Sequence, residues 1–121
     1  MRGKSILIVD DSILIIDRLQ TMLTESNDPG TIRYAVDYRS AMEQVEVFPP
    51  DIVLLDINLP GGSGLGLLRF LKAQNPSTVV IMVTNQGDDY YRGVCRKLGA
   101  DHFVDKSSEF EQIPAIISSI L

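Results

Sequence analysis

A single cysteine, Cys95, stands in 121 residues, so no internal disulfide framework holds this chain together and a reducing compartment suits it. Long hydrophobic runs are also missing. None approaches the roughly 20 residues that span a bilayer, and Met1-Arg2-Gly3-Lys4 leads into only a five-residue apolar strand before Asp10. Membrane insertion and secretion are therefore not expected, and the cytoplasm is the expected location. Positive charge is scarce too: 11 Lys and Arg against 16 Asp and Glu leave a formal charge of -5. That balance disfavours non-specific nucleic-acid binding, which depends on clustered cations neutralising phosphates, so a DNA-related role would need another domain. Internal repeats, low-complexity tracts and linkers are absent. What remains is 45% hydrophobic content, enough for one domain to bury a real core without staples.

Five apolar runs alternate with five segments of helical periodicity, the pattern of strand and helix units in a mostly parallel sheet. Ser5 to Val9 reads as a fully apolar strand, and Ser12 can cap a helix burying Ile15, Leu19, Met22 and Leu23. Asn27-Asp28-Pro29-Gly30 breaks the chain before a half-polar edge strand, Thr31 to Val36. A helix from about Arg39 to Val47 then buries Ala41, Met42 and Val45, and Phe48-Pro49-Pro50 stops it. Asp51 to Leu55 is apolar on both faces. Gly61-Gly62-Ser63-Gly64 turns into a helix carrying Leu65, Leu68 and Leu71, which Asn75-Pro76 ends. Thr78 to Val83 is the most uniformly apolar strand, and the next helix groups Tyr91, Val94, Cys95 and Leu98 before Gly99 closes it. Asp101 to Asp105 is the fifth strand. Pro114 is tolerable only near a helix start, so the last helix is expected to be irregular or late-starting.

Right-handed crossovers between parallel strands put all their carboxyl ends on one edge of the sheet, where ligands usually sit. Here those ends read Val9-Asp10-Asp11, Leu55-Asp56, Val83-Thr84 and Val104-Asp105-Lys106. Two carboxylates about 4 Å apart repel by roughly 4 kcal/mol at an effective dielectric near 20, a large part of a small domain's stability. Something positive belongs there. Lys106 supplies one charge, and converging acids suggest a hard divalent cation with oxygen ligands. Mg2+ fits best, completing its octahedron with water, a backbone carbonyl and a phosphate oxygen.

Asp10-Asp11, Asp56 followed by Asn58 and Pro60, Thr84 and Lys106, in that order, resemble the receiver domains of bacterial two-component response regulators over essentially the whole chain. The resemblance implies a doubly wound (βα)5 flavodoxin-like sandwich with strand order 2-1-3-4-5. It implies a single receiver domain over residues 1–121, with no output domain following Leu121. Asp56 would be the nucleophile, taking a phosphoryl group from a sensor histidine kinase or a histidine phosphotransfer protein. Asp10, Asp11, Asp56 and the backbone carbonyl of Asn58 would hold Mg2+. Lys106 and Thr84 would contact phosphoryl oxygens and complete the catalytic set, and Phe103, three residues before the lysine, would be the aromatic switch. The domain would assist its own phosphorylation and dephosphorylation without being an enzyme in its own right. Its output would be binding to a downstream protein, as a monomer or a phosphorylation-dependent dimer, with no direct contact to nucleic acid or membrane.

The chain departs from the family pattern at three places. Ser107 stands where proline usually follows the lysine in a cis peptide, and a cis bond to a non-proline residue costs roughly 2.5 to 4 kcal/mol, so a trans bond or a loop held by its surroundings is expected. Asn85 is bulkier than the small residue favoured after the threonine and should narrow access to Asp56, altering phosphorylation or hydrolysis rates. Phe103 lacks tyrosine's hydroxyl, which favours an inward ring. Blander readings exist for each residue: Asp10 as a helix cap, Thr84 as an ordinary strand former, Lys106 as a solvated end. Gly61-Gly62-Ser63-Gly64-Leu65-Gly66 lacks the Gly-Lys-Ser/Thr ending of a phosphate cradle and reads as loop and helix-start chemistry. His102 reads as a strand residue, Cys95 as helix packing, and Tyr90 and Tyr91 as one exposed and one buried residue. Two competing functions remain. One is a receiver-like interaction module independent of phosphorylation, motivated by Ser107 and Asn85. The other is a small Mg2+ phosphohydrolase, although Asp10-Asp11-Ser12 does not match the Asp-x-Asp motif of the haloacid-dehalogenase group.

Overall fold

In the computed structural model, residues 3–26, 30–85 and 88–120 are described. Five parallel strands form the central sheet: β1 (Ser5–Val9), β2 (Thr31–Ala35), β3 (Ile52–Leu55), β6 (Val79–Thr84) and β7 (His102–Asp105). Their order is β2-β1-β3-β6-β7, which is the expected 2-1-3-4-5 winding once a small antiparallel hairpin, β4 (Asn58–Leu59) with β5 (Gly62–Ser63), is set aside. The helices are α1 (Ile13–Ser26), α2 (Tyr38–Val47), α3 (Gly64–Gln74), α4 (Asp89–Lys97) and α5 (Ile113–Ile120). Among the described residues no helix is long and apolar enough to cross a membrane. The Asn27-Asp28-Pro29 part of the first predicted break lies outside the described residues.

Side-chain alternation along the strands divides the core into two layers. Leu7, Val9, Val53, Leu55, Val80 and Met82 point to one face, under α2, α3 and α4. Ile6, Ile8, Ile52, Leu54, Ile81 and Val83 point to the other, under α1 and α5. β1 and β3 are buried on both sides, so the residues that follow them project from a stiff mount. Most helix contacts follow the predicted periodicity, with small rotations. Ile16, Leu19 and Leu23 are the buried positions of α1, whereas Ile15 and Met22 are half-buried. Ala41 and Val45 are buried in α2, with Met42 at the margin.

Local chemistry sets the helix starts. Asp37 and Ser40 form a reciprocal capping box on α2, Ser63 accepts from the Leu65 amide on α3, and Asp88 accepts from the Tyr91 amide on α4. Asp89 in the first turn of α4 and Arg96 and Lys97 in its last turn complement the helix dipole. The late start expected of the last helix is present: Phe110–Gln112 form a 3-10 turn, and α5 begins at Ile113 with Pro114 next, where its missing N–H costs nothing.

Candidate functional site

Asp10 follows β1 directly and Asp56 follows β3, and backbone bonds lock both into neighbouring strands. The Asp10 amide donates to the Ala35 carbonyl at 3.1 Å and the Asp56 amide to the Val9 carbonyl at 3.0 Å. Both residues are buried, at 2% and 7% exposure, whereas Asp11 beside them is exposed. Carboxylate oxygens of Asp10, Asp11 and Asp56 all lie within 4.8 Å of one another. The predicted convergence of acids is therefore present.

Lys106 crosses from the end of β7 to serve two of them. Its Nζ lies 2.7 Å from Asp10 Oδ2 and donates to Asp56 Oδ2 at 2.9 Å. The other oxygen of Asp10 accepts from the Ser12 amide at 2.9 Å, while Ser12 caps α1, its hydroxyl accepting from the Ile15 amide at 3.3 Å; capping and the charged site fall to different residues. Burial pushes the Asp10 carboxyl above its ordinary value, with the charge of Asp56 adding to it, while Lys106 and the Ser12 amide pull the other way. Burial also disfavours the Lys106 ammonium. Its bonds to Asp10 and Asp56 and their charges outweigh that penalty, and the ammonium is held above its ordinary range. Among the described residues no ion pair forms at Asp11, so a third acid faces solvent at the rim. Three converging oxygens with one ammonium shared between two of them suit a hard divalent cation, and the cluster could hold one.

Thr84 ends β6 fully buried, and the Lys106 amide donates to its carbonyl at 2.9 Å. The ladder pairs Thr84 with Asp105 and Met82 with Phe103, which places Thr84 and Phe103 on the α4 side of the sheet. The Phe103 ring is half-buried. The Arg92 guanidinium covers it, 4.7 Å from the ring centroid, an attractive placement at the sheet edge that the sequence pattern did not signal. Asn58 lies in the β4–β5 hairpin with its side chain exposed. With Asp11 it lines a hollow of about 260 Å3. Asn85 is exposed just past β6, and residues 86–87 lie outside the described set.

The serine after Lys106 has a clear physical solution. Among the described residues no peptide bond is cis, so Lys106–Ser107 is trans. Asp105 turns its carboxylate away from the acid cluster and holds the loop instead. Its Oδ1 accepts from the Ser107 amide at 2.8 Å and from the Ser107 hydroxyl at 2.6 Å, and these two bonds lower its carboxyl. Glu109 adds a second brace, accepting from the Asp105 amide at 2.9 Å and from Arg92 at 2.5 Å. Neither Arg92 nor Glu109 was singled out by sequence reasoning, since no local pattern links residues 17 apart.

The glycine-rich turn is a point of close packing. An added Cβ on Gly64 would lie 1.9 Å from the Asp56 carbonyl oxygen, and one on Gly62 would lie 2.5 Å from the Tyr38 ring. Gly61 has φ +84, the left-handed conformation that glycine adopts without strain. These glycines let the hairpin press against the backbone carrying Asp56. The stretch serves as loop and helix start, with Ser63 capping α3.

Comparison with known proteins agrees with this geometry. Residues 6–118 match the sequence model of the response regulator receiver domain. The DNA-binding transcriptional activator EvgA of Escherichia coli is 32% identical over 113 residues, covering 93% of this chain and 55% of EvgA. The two-component response regulator PhoP of Pseudomonas aeruginosa is 34% identical, covering 96% of this chain and 51% of PhoP. The chain thus spans about half the length of the curated relatives it matches. In three dimensions, the signal receiver domain of a DNA-binding response regulator from Colwellia psychrerythraea shares the fold with a TM-score of 0.89 at 24% identity, over 98% of both chains. An acid cluster bridged by lysine at the carboxyl edge of a 2-1-3-4-5 sheet, and a family match over nearly the whole chain, lead to one assignment: this chain belongs to the response regulator receiver domain family.

Proposed function

We propose that this domain is a phosphoacceptor switch in which Asp56 receives a phosphoryl group from a phosphohistidine on a sensor kinase or phosphotransfer protein. The observation that carries this reading is the Lys106 ammonium held between Asp10 and Asp56, next to a third acid that is open to solvent. One Asp56 oxygen attacks phosphorus in line, the P–N bond breaks, and the departing imidazole nitrogen keeps the electron pair and takes up a proton from water. Asp10, Asp11, Asp56 and the Asn58 carbonyl are the residues that would hold Mg2+, which supplies neutralising charge for the phosphoryl oxygens when bound.

The rest is done by the chain itself. β1 and β3 hold the acids rigidly, so little reorganisation is needed when phosphoryl arrives. Lys106, already ordered by two carboxylates and a taut loop, transfers its bond from Asp56 to a phosphoryl oxygen as the nucleophile is consumed. Thr84 hydroxyl donates to another oxygen, and the pull is passed to Phe103 on the same face of the sheet. Ile13 and Leu14, at 53% and 77% exposure at the start of α1, give a partner an apolar foothold beside Asp11. The function is signalling through altered protein binding, with self-assisted phosphorylation and dephosphorylation as its only chemistry.

Beryllofluoride, which mimics the phosphoryl group on a carboxylate, tests this directly. With Mg2+ present it is expected to shift the NMR signals of Thr84, Phe103 and the α5 face, and Asp56→Asn is expected to abolish the shifts. An unmodified spectrum at millimolar Mg2+ would overturn the reading.

A further inference from the structure

We infer that Arg92 and Glu109 are positioning residues of the switch, forming a latch that caps Phe103 and braces the lysine loop in the unphosphorylated arrangement; this rests on the phosphoacceptor reading above. Arg92 belongs to α4, Phe103 to β7 and Glu109 to the turn before α5, so the three residues tie these three elements together. The guanidinium covers the ring at 4.7 Å and meets Glu109 Oε1 at 2.5 Å. That same oxygen accepts the Asp105 amide at 2.9 Å, and the Glu109 amide donates back to the Asp105 carbonyl at 2.8 Å. Lys106 comes next in the chain, and its own amide is bonded to Thr84. A continuous set of contacts therefore runs from α4 through Glu109 and Asp105 to both phosphoryl-facing residues.

The other two cation–ring pairs, Arg18 on Phe110 and Arg33 on Phe48, pack a helix and an edge strand against their neighbours away from the acid cluster. Only the Arg92 pair, among those described, covers the residue on which the switch depends. The side chains of Arg92 and Glu109 are 30% and 27% exposed. An ion pair with that much water around it has a small effect alone. Here it is combined with a ring stack and a backbone brace on one carboxylate, a geometry that requires the ring to be where it is now. When Phe103 turns inward beneath Thr84, the guanidinium loses the ring face. A contact made in one state and lost in the other biases the equilibrium by its differential free energy, so the latch opposes activation.

α4 is built to yield at this point. Gly93 follows Arg92 in mid-helix, and an added Cβ there would meet nothing within 4 Å among the described residues. Space does not require glycine at this position, and its effect is to weaken a nine-residue helix. An element that must shift when the latch opens is drawn from the less stable end of the structure.

The test is a beryllofluoride titration in Mg2+, followed by the Thr84 amide and the Phe103 ring resonances, on the parent protein, Arg92→Gln, Glu109→Gln and the double variant. Before any ligand is added, the Phe103 ring signals of both single variants are expected to differ from the parent. The half-saturating beryllofluoride concentration is expected to fall about fivefold in each, and no further in the double variant, because the two residues act as one unit. Arg92→Lys keeps the charge near Glu109 and loses the flat stack, so it is expected to fall between the parent and Arg92→Gln without disturbing the Asp105 brace. A parent that responds while Arg92→Gln and Arg92→Lys saturate at the same or a higher concentration would overturn the latch alone. A parent that does not respond would overturn the phosphoacceptor reading, and the latch with it.

Discussion

Replacing Gly64 with alanine is expected to destabilise the protein by about 3 kcal/mol and lower its melting temperature by roughly 10 °C, far more than a typical surface change. The reason lies in one contact. The added methyl carbon would sit 1.9 Å from the Asp56 carbonyl oxygen and 2.8 Å from the Ile57 Cα, both of them backbone atoms that cannot swing aside as a side-chain tip can. Relief requires the β4–β5 hairpin to lift away from the end of β3, breaking the 2.7 Å bond from the Gly64 amide to the Ile57 carbonyl. That movement displaces the segment carrying Asp56, so phosphoryl acceptance should fall together with stability. Gly66 in the same helix is the control: an added Cβ there approaches only the Tyr38 hydroxyl, at 4.0 Å. Gly66→Ala should be neutral or stabilise by about 0.5 to 1 kcal/mol through helix propensity. Equal melting temperatures for the two variants would show that the close approach at Gly64 has no energetic consequence.

Replacing Lys106 with methionine is expected to cost about 3 kcal/mol in Mg2+-free buffer and to make the protein unusually responsive to Mg2+. The methionine preserves most of the packing volume and removes the charge, leaving Asp10 and Asp56 buried without their cation. Their mutual repulsion then falls on the native state alone, since the unfolded chain solvates both. Some of the loss is expected to be absorbed by protonation of Asp10, whose carboxyl burial already pushes up. Anything that binds the folded state selectively stabilises it in proportion to its occupancy, and a divalent cation at this cluster would restore the missing charge. Millimolar Mg2+ should therefore raise the melting temperature of Lys106→Met by more than it raises that of the parent. Phosphoryl acceptance by the variant should remain poor even in Mg2+, because the lysine has a separate role on the phosphoryl oxygens. Equal Mg2+ responses would argue that Lys106 does not neutralise this cluster.

The alternation of strands and helices, the two-sided burial of the strands and the convergence of Asp10, Asp11, Asp56 and Lys106 were legible because each depends on a pattern that repeats along the chain, whereas the sheet order came with the family resemblance. An apolar run ending in an acid points to the shared edge once the strands are parallel. The β4–β5 hairpin was not legible, since two-residue strands carry no periodicity, and the glycines that shape it matter for what their neighbours would strike. Asp105 looked like one more acid at a strand end, yet its carboxylate is taken up by Ser107 two residues further on. That local bond also answers the absence of proline after Lys106, which sequence pattern could raise as a question only. The cover over the Phe103 ring escaped prediction because it comes from Arg92, on α4, eleven residues earlier in the chain. Contacts between side chains brought together only by the finished fold leave no local trace.

The most direct test of the account is to find where a phosphoryl group goes. After incubation with Mg2+ and a small acyl-phosphate donor, or a phosphorylated histidine kinase, the protein should gain one phosphoryl group that is labile to hydroxylamine, as an acyl phosphate is. Reductive trapping and peptide mapping should place it on Asp56, and Asp56→Asn should take up none while remaining folded. A stable phosphoryl adduct on another residue, or uptake undiminished in Asp56→Asn, would contradict it.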